Sequence, residues 1–310
     1  MGAGSDLLRS LTEFEQRFGD EDACAEYLAA TRWPDGFVCP GCGSSKAWRL
    51  ESKAWTYECA GCGRQTSVTA GTIMHHSKLP LTTWFWAAYV MATQPNGISA
   101  LQLQRELSLG SYKTAWLLCA KLRRAMAAPG RSLLSGLIEA DQTDIAHRDK
   151  NDPTTGGGRG HHGKILVAGA VEVQDLRLGC IRLGIVPDDS AASLHAFLAA
   201  SLAPSATAPT SGEAGYSGGS GINDDPRVIG ASDADKAVPR VHRILSDLKV
   251  WGLSVYHGLR RRHFQSYLDE FVYRFNRRRD RHAAFPALLG FAAAHPPVTH
   301  DMLISLGANA

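Results

Sequence analysis

Apolar positions along the chain follow two regimes. Up to about residue 127 they recur mostly at helical spacing. Residues 5–18 and 21–31 read as two short helices. In "GDEDACAEYLAATRW", Asp20 stands at the N-cap with two acids in the first turn behind it. Within residues 37–70, "AWRL" and "WTYEC" read as short strands. Residues 80–127 are helical again, broken at "TQPNGIS". Their second part, "SALQLQRELSLGSYKTAWLLCAKLRRAM", gives two amphipathic helices around "LSLGSYKT", the outline of a helix-turn-helix.

From about residue 133 the pattern changes. "LIEADQTDIA", "KILVAGAVEV" and "RLGCIRLGIV" are apolar, β-branched and of strand length. "SAASLHAFLAASL" is a helix. Residues 203–235 are rich in Ser, Gly, Ala and Pro and read as a loop with room for one short strand. "VPRVHRILSDLKVW" is a helix with Pro239 in its first turn. "HFQSYLDEFVYRFNRRRDRH" is another, with Phe264, Tyr267, Leu268, Phe271 and Phe275 as a stripe for the core. Strands first and helices afterwards imply an α/β domain. The segments are residues 1–34 (helices), 35–76 (a small cysteine-bearing unit), 77–130 (helices) and 133–300 (the α/β domain).

The chemistry starts with cysteine. "CPGCGSSKAWRLESKAWTYECAGC" holds two Cys-x-x-Cys pairs, Cys39/Cys42 and Cys59/Cys62, with 16 residues between them. Each pair can grip a metal from a tight turn, and four thiolates closing a tetrahedron indicate structural Zn2+ rather than a catalytic ion. Such an ion supplies folding free energy to a segment too small for its own core. Cys24, Cys119 and Cys180 sit among apolar neighbours and read as small buried hydrophobes.

Charge is uneven although the net is only +3. From Arg240 to Arg281 there are 11 Lys and Arg against 4 Asp and Glu; from Ile185 to Pro239 there are 2 against 7. A basic block near the C-terminal end suggests that a polyanion is handled there. No apolar run reaches 18 residues, so no membrane-spanning helix is expected. The first residues carry neither an apolar signal core nor a myristoylation pattern, and the expectation is a cytoplasmic protein. "GRGHHGKI" imitates a phosphate loop, but Ile165 stands where Ser or Thr should hold a cation. A strand follows it rather than a helix, which excludes nucleotide-triphosphate binding.

Alternation along "LIEADQTDIA" puts Glu139, Asp141 and Thr143 on one face. A carboxylate on an apolar strand is either a cation ligand or a strand-end acid reaching solvent. His242 and Lys249 are seven apart on one helix, close to two turns, so they emerge on nearly the same face. Spacing alone does not separate this pair from ordinary surface residues.

Taken together, these stretches resemble bacterial insertion-sequence transposases of the ISXO-like group. "CAEYLAATRWPDGFVCPGCG" resembles the entry to that family's zinc ribbon. "KLPLTTWFWAAYVMATQPNGISALQLQRELSLGSYKTAWLLCAKLRRAM" resembles its helical DNA-binding segment. "EADQTD" resembles its first catalytic strand, and "VPRVHRILSDLKVW" and "HFQSYLDEFVYRFNRR" resemble its third catalytic helix and closing helix. The resemblance implies an α/β fold with an RNase H-like domain, a mixed sheet with flanking helices. It implies a DDE-type nuclease working by two-metal phosphoryl transfer with Mg2+. It implies DNA as partner, both element terminal inverted repeats and target, and a homo-oligomer.

Residue by residue, Asp141 matches the first aspartate. His242 with Lys249 seven later matches the third position, where the family carries Glu, Asn or His; Asp247 is a fallback third ligand. The second aspartate lies in a "Thr-Asp-Gly" stretch in the family, whereas this chain reads "PTSGEAGY" with Ser211 in its place. Glu213, two residues on, would share the face of Ser211 on a strand. The departure implies that DNA binding survives while cleavage is weakened or lost, and keeps a non-catalytic DNA-binding protein as the alternative. Arg260, Arg261 and Arg262 with Arg277, Arg278 and Arg279 would neutralise DNA phosphates.

Overall fold

The computed structural model describes residues 8, 10–127, 132–147, 163–174, 177–207, 238–256 and 259–305. They fall into two compact units, one of Met1–Ala128 with Arg279–Ser305, the other of Pro129–Arg278.

The first unit opens with α1 (Leu11–Phe18) and α2 (Glu21–Arg32). Asp20 caps α2 as its sequence position predicts, accepting from the N–H of Ala23 at 2.7 Å. A three-stranded antiparallel sheet follows: β1 (Ala47–Arg49), β2 (Thr56–Cys59) and β3 (Gln65–Ser67). Helix α2 fastens this small sheet to what comes next. The Arg32 guanidinium donates to the carbonyls of Ser67, Val68 and Ala70 at 3.1, 2.5 and 2.8 Å. The Glu21 carboxylate accepts from the N–H groups of Leu81 and Thr82, both at 2.8 Å. Those N–H groups begin α3 (Leu81–Thr93), whose own N-cap, Pro80, offers no acceptor side chain. The predicted helix-turn-helix outline forms as α4 (Ala100–Glu106) and α5 (Tyr112–Met126), capped by Ser99 and Ser111.

The sequence reading carries the second domain to residue 300, but in the structure residues 279–305 belong to the first unit. The physical reason is the helix "AFPALLGFAAA" (Ala284–Ala294). It is apolar on every side and must be covered all round. Phe285 meets Phe14, Phe18 and Phe85 at ring separations of 5.6, 5.6 and 6.1 Å, and the Ala292 carbonyl accepts from the N–H of Ile73. A short helix, His300–Ser305, closes this unit.

The second unit is built on an antiparallel meander: β4 (Leu137–Ala146), β5 (Lys164–Gln174) and β6 (Arg177–Ile185). Lys164 and Ile165 open a strand, as the exclusion of a phosphate loop requires. Beyond α6 (Ala191–Ser201) the chain returns beside the start of β4 in parallel, bridging Leu134 to Leu202 and Leu137 to Thr207. These are isolated parallel bridges beside an otherwise antiparallel three-stranded sheet. One face packs Ile138, Ala140, Ala168 and Ala170 against Leu194 and Leu198 of α6. The other packs Val167, Val171, Ile181 and Leu183 against α7 (Pro239–Tyr256) and α8 (Phe264–Asn276), which supplies the predicted stripe.

Strand β6 is an edge, and α8 occupies its free backbone groups. The Asn276 amide accepts from the N–H of Ile181 at 2.8 Å, and Gln265 accepts from that of Ile185 at 3.2 Å. Covering an edge in this way removes a site for unwanted strand pairing.

Candidate functional site

Two groups of chemistry-bearing side chains are assembled. The first is the cysteine cluster. "CPGCG" and "CAGCG" fold alike: the N–H of Gly43 bonds the Cys39 carbonyl and that of Gly63 the Cys59 carbonyl, both at 2.9 Å. Both glycines have positive φ, 73° and 69°, a backbone conformation that favours residues without Cβ. In each turn the middle glycine's N–H points at the first sulfur, Gly41 to Cys39 at 3.4 Å and Gly61 to Cys59 at 3.3 Å.

The four sulfurs lie within 4.8 Å of one another, with Cys39–Cys62 at 3.7 Å and Cys42–Cys59 at 3.5 Å. A tetrahedral Zn2+ with arms of about 2.3 Å holds sulfurs about 3.8 Å apart, so the donor set fits. Backbone N–H groups of Cys42 and Gly41 hold the Cys39 thiol below its ordinary range. Burial pushes the Cys59 thiol up, but bonds from the N–H groups of Cys62 and Gly61 and the neighbouring sulfurs outweigh it and bring it down to about 6. Sulfurs this close need a cation between them to ionise together. Among the described residues this is the one group of three or more His, Cys, Asp or Glu with metal-binding spacing. Burial, with Glu21 and Asp20 nearby, pushes the Cys24 thiol up to about 12.

The second group lies between β4 and α7. Alternate residues of β4 meet successive positions of the helix. The buried Glu139 carboxylate accepts from the N–H groups of Arg240 and Val241 at 2.6 and 3.2 Å, and pairs with the Arg240 guanidinium at 2.8 Å. It thus serves the first turn of α7, where unpaired N–H groups and the helix dipole favour an anion. Two residues on, the Oδ2 of Asp141 stands 3.2 Å from the Nε2 of His242. Two further on, the Thr143 hydroxyl accepts from the Lys249 ammonium at 2.6 Å.

The helix can come this close because Gly169 lies beneath it, opposite Asp141 in the β4–β5 register. A Cβ there would stand 3.1 Å from Leu245, 3.2 Å from Leu183 and 3.4 Å from Val241. Sequence reasoning sets Glu139 and Thr143 on the face of Asp141 without giving either a role, and it passes over Gly169. Their roles depend on which helix the face meets, which alternation does not show; nothing local marks Gly169.

The structure thus brings Asp141, His242 and Lys249 to one face of the sheet. It leaves Asp247 exposed on α7. Ser211 and Glu213 lie outside the described residues. Arg260, Arg261 and Arg262 are exposed, the last two in a short 3-10 turn, and Arg279 is exposed in the first unit. Arg278 is engaged otherwise: its guanidinium donates to the carbonyls of Leu178, Gly179 and Phe275 and lies 3.9 Å over the Phe275 ring. Arg277 lies 4.1 Å over Tyr273. No helix among the described residues is long and apolar enough to cross a membrane.

Comparison with known proteins finds one match inside each unit. Residues 133–276 match the family described as ISXO2-like transposase domain, and residues 19–65 the transposase zinc-ribbon domain. The chain is 31% identical over 153 residues to an uncharacterized protein in transposable element ISH50 of Halobacterium salinarum, covering 47% of this chain. It spans about half of that relative's length, 51%. No solved structure matches. The chain thus carries a segment similar to a transposase zinc ribbon ahead of one similar to an ISXO2-like transposase domain.

Proposed function

We propose that the β4–α7 face is a DDE-type nuclease centre that cuts and rejoins DNA at the ends of an insertion sequence. The observation that carries this reading is the approach of His242 to Asp141 at 3.2 Å across 101 residues of sequence, with Lys249 on the same face. Asp141 and His242 would hold divalent cation, for which the family implies Mg2+. Right-angled ligands on Mg2+ arms of about 2.0 to 2.1 Å stand about 2.8 to 3.0 Å apart, so the 3.2 Å pair would close by a few tenths of an ångström around such an ion. When bound, paired cations activate the attacking oxygen and stabilise the leaving one in phosphoryl transfer.

The chain's own groups supply placement. Glu139 anchors the start of α7 and so sets His242 against Asp141. Lys249, steadied by Thr143, offers a fixed positive charge to a phosphate. The exposed Arg260–Arg262 would bind DNA phosphates on approach. The zinc ribbon and the α4–α5 pair would grip the element end, and the assembly would work as a homo-oligomer on paired ends.

Ser211 bears on how well this centre works. A neutral hydroxyl at the second ligand position weakens cation binding, which supports an impaired copy. It also favours the second reading, a zinc-ribbon and helix-turn-helix DNA binder without cleavage. The discriminating experiment is metal-dependent nicking of a terminal-repeat duplex by the native chain and by Ser211→Asp. The nuclease reading expects at least a tenfold gain in the variant; no gain supports the binder.

A further inference from the structure

Resting on the reading that the α4–α5 pair grips the element end, we propose that α5 reads that duplex in its major groove, with Tyr112 and Lys113 on base edges and Arg124 on phosphate. Helices α4 and α5 pack together, with Leu103, Ala115 and Leu118 buried. The turn between them bends at Ser108, whose φ of 48° is left-handed. In a helix-turn-helix the second helix enters the major groove and its first residues meet the bases.

The charge on α5 has one sign. It holds Lys113, Lys121, Arg123 and Arg124 and no Asp or Glu, which complements a polyanion. Two of these are engaged inside the unit: Lys121 donates to the Ile73 carbonyl at 3.2 Å, and Arg123 is buried. Lys113 and Arg124 are exposed, and their spacing of about three turns sets them on one face. A cation in the first turn works against the helix dipole, where an acid would be favoured, so Lys113 is better placed with an anionic partner than without one.

Ser111 and Thr114 are committed to the cap, their hydroxyls bonded at 2.9 Å. Trp116 meets the His300 ring at 6.4 Å. Tyr112, 53% exposed, and Lys113 are therefore the side chains at the start of α5 that face a partner. A lysine ammonium suits the guanine O6 and N7 acceptors, and the tyrosine ring suits a thymine methyl group. Arg124 lies about 16 Å further along the helix axis than Lys113. That exceeds the groove width of about 12 Å, so Arg124 falls to a phosphate on the groove wall.

The test uses the full chain with its cysteine site loaded with Zn2+ and selects binders from a pool of random-sequence duplexes. The native chain is expected to enrich one sequence. Lys113→Ala and Tyr112→Ala should each weaken binding to that duplex by about tenfold or more and, on reselection, lose preference at adjacent positions within it. Arg124→Ala should weaken the selected duplex and a scrambled one by the same factor, and lower the slope of log affinity against log salt by about 1. Lys113→Arg and Tyr112→Phe serve as second variants that keep the charge and the ring, with circular dichroism confirming that the fold is retained. Each should keep more of the preference than its alanine counterpart. If both alanine variants enrich the native sequence unchanged, α5 is not the reader and the proposal falls, while the chain still recognises DNA. If the native chain itself enriches no sequence, the reading on which the proposal rests falls with it.

Discussion

The Nε2 of His242 stands 3.2 Å from the Oδ2 of Asp141, a helix residue and a strand residue set face to face. The contact depends on groups around it that have no chemistry of their own to perform. Glu139 fixes where α7 starts, Gly169 how closely it lies, and Thr143 where the Lys249 amine comes to rest.

Glu139 is buried and satisfies two backbone N–H groups and Arg240. Glu139→Ala leaves those donors without their acceptor and should cost about 2 to 3 kcal/mol of stability. Glu139→Gln keeps an acceptor oxygen and should cost about 1 kcal/mol. Urea denaturation of the three proteins measures the order; an alanine variant as stable as the native chain would remove Glu139 from this role.

Gly169→Ala places a methyl group where Leu245, Leu183 and Val241 already pack. Overpacking of this kind should destabilise by about 1 to 3 kcal/mol and push α7 away from the sheet. The check is a fall in the urea midpoint accompanied by weaker cation binding at Asp141 and His242. A midpoint that falls with cation binding unchanged would show that the helix did not move.

Removing Zn2+ should unfold the ribbon, because the three strands Ala47–Arg49, Thr56–Cys59 and Gln65–Ser67 are too short to hold together unaided. One Zn2+ per chain is expected by elemental analysis. A chelator should abolish DNA binding while leaving the second unit's helices and sheet in place, as hydrogen exchange would show. Cys59→Ser should behave as the chelated protein does.

The arginines divide into two kinds. Arg260, Arg261 and Arg262 are exposed; replacing all three with alanine should lower the slope of log affinity for DNA against log salt by about 3 and leave stability nearly unchanged. Arg278 bonds three carbonyls. Arg278→Ala should cost about 1 to 2 kcal/mol of stability and leave the salt slope nearly as it was. A titration of DNA binding at several salt concentrations, set beside a melting curve, separates the two.

Much of this organisation is legible in the sequence because it is written in local patterns. The alternation of Glu139, Asp141 and Thr143 places them on one face, and the Asp20 cap and the two Cys-x-x-Cys turns are local geometry. The seven-residue interval between His242 and Lys249 reads as a shared helix face but says nothing of which strand that face meets. The bond from Glu139 to Arg240 spans 101 residues, and the fit of α7 over Gly169 depends on strand register; neither leaves a local mark. The helix Ala284–Ala294 shows the same limit. Its all-round apolar composition announces burial, but only the fold reveals that its partners are Phe14, Phe18 and Phe85.

The most direct test is strand cleavage of a terminal-repeat duplex, with Mg2+ and with Mn2+, by Ser211→Asp and by Ser211→Asp combined with Asp141→Asn. The account predicts cleavage by the first protein and a loss of at least a hundredfold in the second, with DNA binding retained by both. Cleavage that persists undiminished without the Asp141 carboxylate would contradict it.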